Sequence, residues 1–498
     1  MARAYRANGL FATKTVAELS AHAESRQQLK RTLSVVSLTA FGIGSIIGTG
    51  IFVLTGTAAA NHAGPALALS FVLAGCGCAL AALCYAEFAA MVPVSGSAYS
   101  YAYAAFGEVV AWFIGWNLVL EYTFSVATVS VGWSGYVVSL LAQFGVHLPE
   151  VLTQAPYDRG PGSFSIVRTG AIVNLPAVLV VAAVAAICYV GIRQSSTTNS
   201  IIVAVKIAVV ALFVLVGMSH VNPANWHPFI PPNTGHFGEF GWSGIFAASG
   251  VIVFAYIGFD AISTCAQEAR NPHRDLPISI LSSLAICTVL YMATAVVLTG
   301  MVHYTELNVA APVAVALDAH AALRWLGIPV KIGAIAGMTS VMLVMTVGQA
   351  RIFMIMGADG LLPGWFARVH PRFKTPANGT WLTGLAAAVI GGLFPVRILG
   401  ELVSIGTLLA FITVCLGVLV LRKTRPELPR PFRVPWPWLT CVGGAVACTA
   451  MILSLPGDTW IRLAVWTVIG FLIYGLYGYR ASLLRRPSAV SPGALSTK

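Results

Sequence analysis

Charge is what this chain has least of: 9% of its 498 residues are Asp, Glu, Lys or Arg, and 17 are acidic. With 57% apolar residues and a mean hydropathy of +0.82, it has too little polar surface to coat a soluble globule. The ten histidines fall in expected loops and ends, as His227 and His236 do, with no paired spacing on a helix. The nine cysteines lie mostly within apolar runs. Cys76, Cys78 and Cys84 share one run at a spacing that matches no four-ligand zinc pattern, so packing accounts for them. No disulfide, metal or cofactor is expected. Clustered nucleophiles and bases at helical spacing are lacking, which argues against an intramembrane enzyme. The net charge of +12 has no aromatic-basic groove pattern beside it, which argues against nucleic acid as a partner. Residues 1–33 carry charges throughout and no apolar core of signal-peptide type, so the first apolar run is expected to be retained.

What the chain does have is apolar length. Crossing roughly 30 Å of hydrocarbon takes about 20 helical residues. Such runs are expected at 34–58, 65–91, 107–141, 174–192, 197–219, 243–266, 277–302, 328–356, 378–395, 400–421, 435–455 and 459–479. Barrel strands alternate polar and apolar residues, whereas Leu175 to Val190 is apolar all round. The expected fold class is therefore an all-α integral membrane protein of about twelve transmembrane helices. Most of the 29 basic residues fall between spans on one side, among them Arg351, Arg368, Arg372 and Lys374 in one loop and Arg422, Lys423, Arg425, Arg430 and Arg433 in another. The 220–242 loop on the other side has neither Lys nor Arg. Both termini, the second with Arg485 and Arg486, are thus expected in the cytoplasm of a multi-pass plasma-membrane protein, or of the cytoplasmic membrane in a bacterium.

Two spans contain backbone ill suited to regular helix. The first reads Gly42-Ile43-Gly44-Ser45-Ile46-Ile47-Gly48-Thr49-Gly50, and each glycine costs about 1 kcal/mol in a helix interior relative to alanine. Gly44 and Gly48 form a small-xxx-small pair that suits close helix packing. The alternative is an unwound segment whose free amides bind an anion such as a carboxylate. A dinucleotide fingerprint does not apply, because the cluster lies inside one apolar run. The sixth span, Ser249-Gly250-Val251-Ile252-Val253-Phe254-Ala255-Tyr256-Ile257-Gly258-Phe259-Asp260, again places glycine and polar atoms at depth. If spans 1–5 and 6–10 are two halves, each half opens on an interrupted helix, the pattern of an inverted-repeat transporter with a midplane site.

Four stretches carry a family resemblance: Gly42 to Gly56, Tyr85-Ala86-Glu87-Phe88 leading to Pro93-Val94-Ser95-Gly96-Ser97-Ala98-Tyr99, Phe254 to Asp260, and Arg270-Asn271-Pro272-His273-Arg274-Asp275-Leu276-Pro277. Over about 34–480 the chain resembles the amino acid-polyamine-organocation superfamily, in particular its cationic amino acid transporter branch and bacterial relatives. The resemblance implies a leucine-transporter-type fold of 5+5 inverted repeats plus two helices. Residues 1–33 would be a cytoplasmic segment, 34–219 the first repeat, 243–421 the second, 435–479 spans 11 and 12, and 480–498 a cytoplasmic tail. It also implies a substrate-binding set: Ile46, Gly48, Thr49 and Gly50 at the carboxylate, Phe254, Ala255 and Ile257 at the ammonium, Phe254 as a gate, and Met345 against the side chain. Freed amides and a half-helix N-terminus favour negative charge on independent grounds.

Lys206 stands near the centre of the fifth span, where a lysine costs about 2.5 to 3.5 kcal/mol on insertion scales. The resemblance places it where sodium-coupled members of the fold hold an ion, as a carrier of proton coupling. A fixed cation tying helices together is the other reading. Glu121 and Asp260 are weaker candidates for the proton path. Glu87 is expected to snorkel and Lys331 to reach water. Arg270, Arg274 and Asp275 are expected in an inner loop, as a solvated turn or a gating ion pair. The bulk of Met345 favours small neutral L-amino acids such as alanine over arginine or lysine. With Lys206 as proton carrier, the expected function is their proton-coupled symport by alternating access. The alternative is exchange of cationic amino acids or polyamines. The expected partners are thus an amino acid, protons and the lipid bilayer, and the resemblance leaves room for a small single-span accessory protein.

Overall fold

The computed structural model describes residues 9–15, 33–92, 94, 96–160, 166–191, 196–266 and 268–485. Most of the expected N-terminal segment, residues 486–498 of the tail with Arg486, and Pro93 and Ser95 of the second motif lie outside the described residues.

The chain is an all-α membrane protein. Helix α1 (Val35–Ile46) starts where the Ser34 hydroxyl accepts the Ser37 amide at 3.3 Å, and it stops where Ile47 turns to extended geometry at ψ 100°. Helical backbone resumes at Gly50–Leu54 and continues to Ala63. There follow α2 (Leu67–Met91), α3 (Glu108–Gln143), α4 (Leu175–Val190) and α5 (Ser196–Met218). Helix α6 (Gly241–Ile252) passes through a tight turn, Val253–Tyr256, and an extended Ile257 before a short helix, Ala261–Thr264. The remainder is α7 (Pro272–Met301), α8 (Arg324–Ala358), α9 (Ala377–Leu393), α10 (Val396–Thr424), α11 (Gly443–Leu453) and α12 (Gly457–Ile473). Among the described residues, eight helical stretches are long and apolar enough to cross a membrane, and α1, α4 and Trp438–Leu453 are shorter apolar helices. A small antiparallel hairpin pairs Tyr157–Arg159 with Ile166–Arg168.

Burial ranks these elements. The apolar window of Gly241–Thr264 is 94% buried, against 22% for Gly457–Ala481, so the broken sixth segment is central and the last helix peripheral. Helix α3 packs along α8 and α10, while α7 packs along α2 and α1. This arrangement encloses both interrupted segments in protein. Irregular backbone is tolerated at membrane depth on that condition.

Three expectations need correction. Arg274 and Asp275 stand in the first turn of α7 rather than in a loop: Pro272 presets the opening turn, and the Asp275 carboxylate accepts the Asn271 amide at 3.0 Å. Lys331 does not reach water. Its side chain is buried, and its ammonium lies 2.8 Å from Asp318 of the short helix Pro312–Asp318. Glu87 does not snorkel either, because it has partners inside. Arg422 donates to it through Nε at 3.0 Å and through Nη2 at 2.5 Å, the Val434 amide donates at 2.7 Å, and Arg430 stands 3.6 Å away. Removing one partner of such a buried pair strands the other charge. Glu87→Ala is therefore expected to destabilise the fold by about 3 kcal/mol, read as a clear fall in the melting temperature of the detergent-solubilised protein, with Glu87→Gln falling less.

Candidate functional site

The two interrupted segments cross, and glycine makes both crossings possible. A Cβ on Gly50 would run into the Cα and Cβ of Ala255. Gly258 has φ +121°, and a Cβ there would lie 2.8 Å from the backbone of Ser45. Close packing and unwinding are thus both realised in the first cluster, with Gly48 against Val341 of α8. Tyr291 of α7 fastens the crossing. Its hydroxyl stands 2.8 Å from the Ile46 carbonyl and 2.8 Å from the Ala255 carbonyl, one on each broken segment. Tyr291→Phe removes this bridge, and a hydrogen bond of about 1 kcal/mol predicts a roughly fivefold rise in the KM of transport with folding retained.

A small cavity sits beside the crossing, with space for about one water molecule. Seven of the eight expected residues line it: Ile46, Gly48, Thr49, Gly50, Phe254, Ile257 and Met345 of α8. The amides from Gly48 to Gly50 open the second half-helix, where the first N–H groups have no carbonyl one turn back. Ala255 is the exception. It does not line the cavity, and its carbonyl takes the Tyr291 hydroxyl. Sequence reasoning missed Ser45, Ser125, Val129 and Val341, which complete the lining. Ser125 and Val129 lie one and two helical turns beyond Glu121 on α3, so the helical period alone could have pointed to them. Nothing local to its sequence marks Tyr291.

The chemistry of the cavity is mixed. Ile46, Val129, Ile257, Val341 and Met345 form an apolar wall, and among the described residues no carboxylate lines it. The hydroxyls of Thr49 and Ser125 are buried without a hydrogen-bond partner among the described residues, so both are free to meet a polar ligand atom. Such a surface suits a zwitterionic head and an apolar side chain.

Lys206 is buried behind the first crossing. Its ammonium donates to the Gly44 carbonyl at 2.7 Å and to the Ile47 carbonyl at 3.1 Å, both at the end of the first half-helix. Gly337 of α8 lies against its methylene stem, where a Cβ would stand 3.3 Å from Cε. The lysine therefore links α5, α8 and the break. The acids lie apart from it. Asp260 accepts the Gly258 amide at 3.2 Å and the Tyr122 hydroxyl at 3.0 Å. Glu121 is buried beside Thr407 of α10, with one oxygen unpartnered. Asn117, Glu121 and Ser125 recur every four residues on one face of α3, and each holds an unpartnered oxygen.

A larger cavity of about 380 Å³ lies on the Arg351 side. It is lined by Leu33 and Ser37 at the start of the first broken segment, by Thr264 and Glu268 after the sixth, and by Arg351 and Lys374. Glu268 and Arg351 approach to 3.9 Å within it. The cavity reaches Tyr122, so it leads to the residue that holds Asp260.

Residues 33–474 match the amino acid permease family model, which spans both broken segments and all the residues just described. The chain belongs to that family. This permease is 47% identical to the methylthioribose transporter of Bacillus subtilis, over 96% of its own length and all of the relative's. It is 45% identical to the branched-chain amino acid permease BcaP of the same organism, over 96% and 99% of the two chains. It is also 39% identical to the vacuolar cationic amino acid transporter 4 of Arabidopsis thaliana, over 80% of the permease and 64% of that chain. All three relatives are named as carriers rather than enzymes.

Proposed function

We propose that this permease is a proton-coupled symporter of neutral, branched-chain L-amino acids. It works by alternating access in a twelve-helix, 5+5 inverted-repeat frame with both termini cytoplasmic. The observation that carries the reading is the cavity at the crossing, which combines half-helix amides, unpartnered hydroxyls and an apolar wall without a carboxylate. The substrate carboxylate meets the amides of Gly48, Thr49 and Gly50. Its ammonium meets carbonyls of the turn beginning at Phe254, and its side chain lies against Val341 and Met345. Alanine fits such a wall, but a branched side chain fills more of it, in keeping with the named substrate of BcaP. Phe254 closes the cavity toward the outside, and the Arg351-side cavity is the inner route. Lys206 exchanges a proton as the first half-helix moves, with Glu121 and Asp260 lending further sites. A small single-span accessory protein would sit against the outer helix faces.

The apolar wall disfavours the alternative, a cationic amino acid or polyamine exchanger, although transporters with that name are among the relatives. Methylthioribose is a second reading. It is favoured by the two unpartnered hydroxyls and by the name of the 47% identical relative. Thermal-shift titration of the purified permease with leucine, isoleucine, valine, alanine, arginine and methylthioribose decides among them. Stabilisation by leucine, isoleucine and valine is expected, with a smaller shift for alanine. Stabilisation by arginine or by methylthioribose alone would overturn the reading.

A further inference from the structure

A groove of about 420 Å³ runs along the outside of the molecule at the N-terminal end of α7, away from both transport cavities. One end carries the Arg274 guanidinium, with His273 beside it. The other is apolar, with Pro277, Ile278 and Leu281 of α7 facing Phe432 from the segment that follows α10. His273 is held in place, because its Nδ1 lies 2.7 Å from the Ala90 carbonyl. Arg274 is exposed, and its side chain has neither an ion pair nor a hydrogen bond among the described residues. Its neighbours on this side differ: Arg351 pairs with Glu268, Arg422 with Glu87 and Arg485 with Glu108. Arg433, next to Phe432, is also exposed and unpaired among the described residues. Trp436 and Trp438 follow at 77% and 65% exposure, as side chains at a bilayer interface do.

Free cations beside an apolar floor, with exposed tryptophans a few residues along the chain, match the two ends of a lipid. We propose that this groove binds an anionic phospholipid of the inner leaflet, the phosphate on Arg274 and Arg433 and an acyl chain along Ile278 and Leu281. The inner-leaflet assignment rests on the proposed topology, with both termini cytoplasmic. The site adjoins the first broken segment through the chain before α7: the Leu33 amide donates to the Glu268 carbonyl at 3.0 Å, and the Arg270 amide donates back to the Leu33 carbonyl at 2.9 Å. That backbone link ties the start of the first broken segment to the chain leading into α7.

Native mass spectrometry of the full-length protein with phosphatidylglycerol tests the site. Wild type is expected to retain bound lipid, and the double variant Arg274→Gln, Arg433→Gln to bind at least fivefold less, while Arg274→Lys stays near wild type. Excess inorganic phosphate should not displace the lipid. Equal binding by the double variant, or displacement by phosphate alone, would overturn the proposal. The topology is read separately, by labelling Arg274→Cys in sealed vesicles with an impermeant thiol reagent. Labelling from the cytoplasmic face supports the leaflet assignment. Labelling from the opposite face would overturn that assignment along with the topology, whereas unchanged lipid binding in the double variant overturns the site alone.

Discussion

Lys206→Ala is expected to bind and exchange amino acid yet fail to concentrate it when the outside of a vesicle is acidified. The ammonium bonds two carbonyls at the end of the first half-helix, Gly44 and Ile47, and it is buried among α5, α8 and the break. A cation in that place costs insertion free energy, and it persists because it meets polar groups that a regular helix would have used internally. On the proposed mechanism, a tilt of the half-helix would take the two carbonyls away, and the lysine would give up its proton. Without the amine the proposed coupling loses the protonation step that follows the first half-helix, and the gradient would bias the two orientations far less. The expected loss is of accumulation, by at least tenfold, with equilibrium exchange retained. Lys206→Gln separates this from a purely structural role: it keeps a hydrogen-bond donor for the carbonyls but carries no exchangeable charge. Restored thermal stability without restored accumulation is the predicted result. Gradient-driven accumulation in either variant would contradict the assignment.

Gly50→Val is expected to abolish transport. A side chain at this position enters the space held by the Cα and Cβ of Ala255, which are backbone and its first side-chain atom rather than a flexible tip. Relief requires the two broken segments to separate, and that pulls Tyr291 from at least one of its two carbonyls. The same displacement moves the half-helix amides of Gly48 and Thr49 away from Phe254 and Met345 across the cavity. Gly258→Ala tests the second crossing, where both the positive φ and the approach to Ser45 oppose a side chain. Uptake should fall at least a hundredfold in Gly50→Val and at least tenfold in Gly258→Ala, while both proteins still reach the membrane. A Gly50→Val protein with near wild-type uptake would show that the crossing does not form the site.

Much of this architecture is legible in the amino-acid sequence alone, because membrane depth leaves so few options to a backbone. Apolar runs locate the helices, and glycine clustering locates both breaks, since glycine at depth needs a reason. The lining residues that the sequence does not reveal depend on which face of α3 and α8 turns inward, as Ser125, Val129 and Val341 show. That is fixed by packing between helices far apart in sequence. Glu87 and Lys331 defeat sequence reasoning for the same cause. A local rule sends a charge near a helix end to water, but Arg422 lies more than three hundred residues from Glu87, and Asp318 approaches Lys331 on a helix of seven residues, too short to read as a span. Tyr291 is the clearest case: an ordinary tyrosine in an apolar helix becomes the bridge between two breaks only through the fold.

The central claim is that the crossing carries a neutral amino acid with a proton. Uptake of radiolabelled leucine into proteoliposomes of the purified permease, with the outside acid and the inside neutral, tests it most directly. Accumulation above the external concentration, collapsed by a protonophore and independent of any amino acid loaded inside, is the predicted result. Uptake that requires amino acid inside the vesicle and ignores the pH gradient would contradict it.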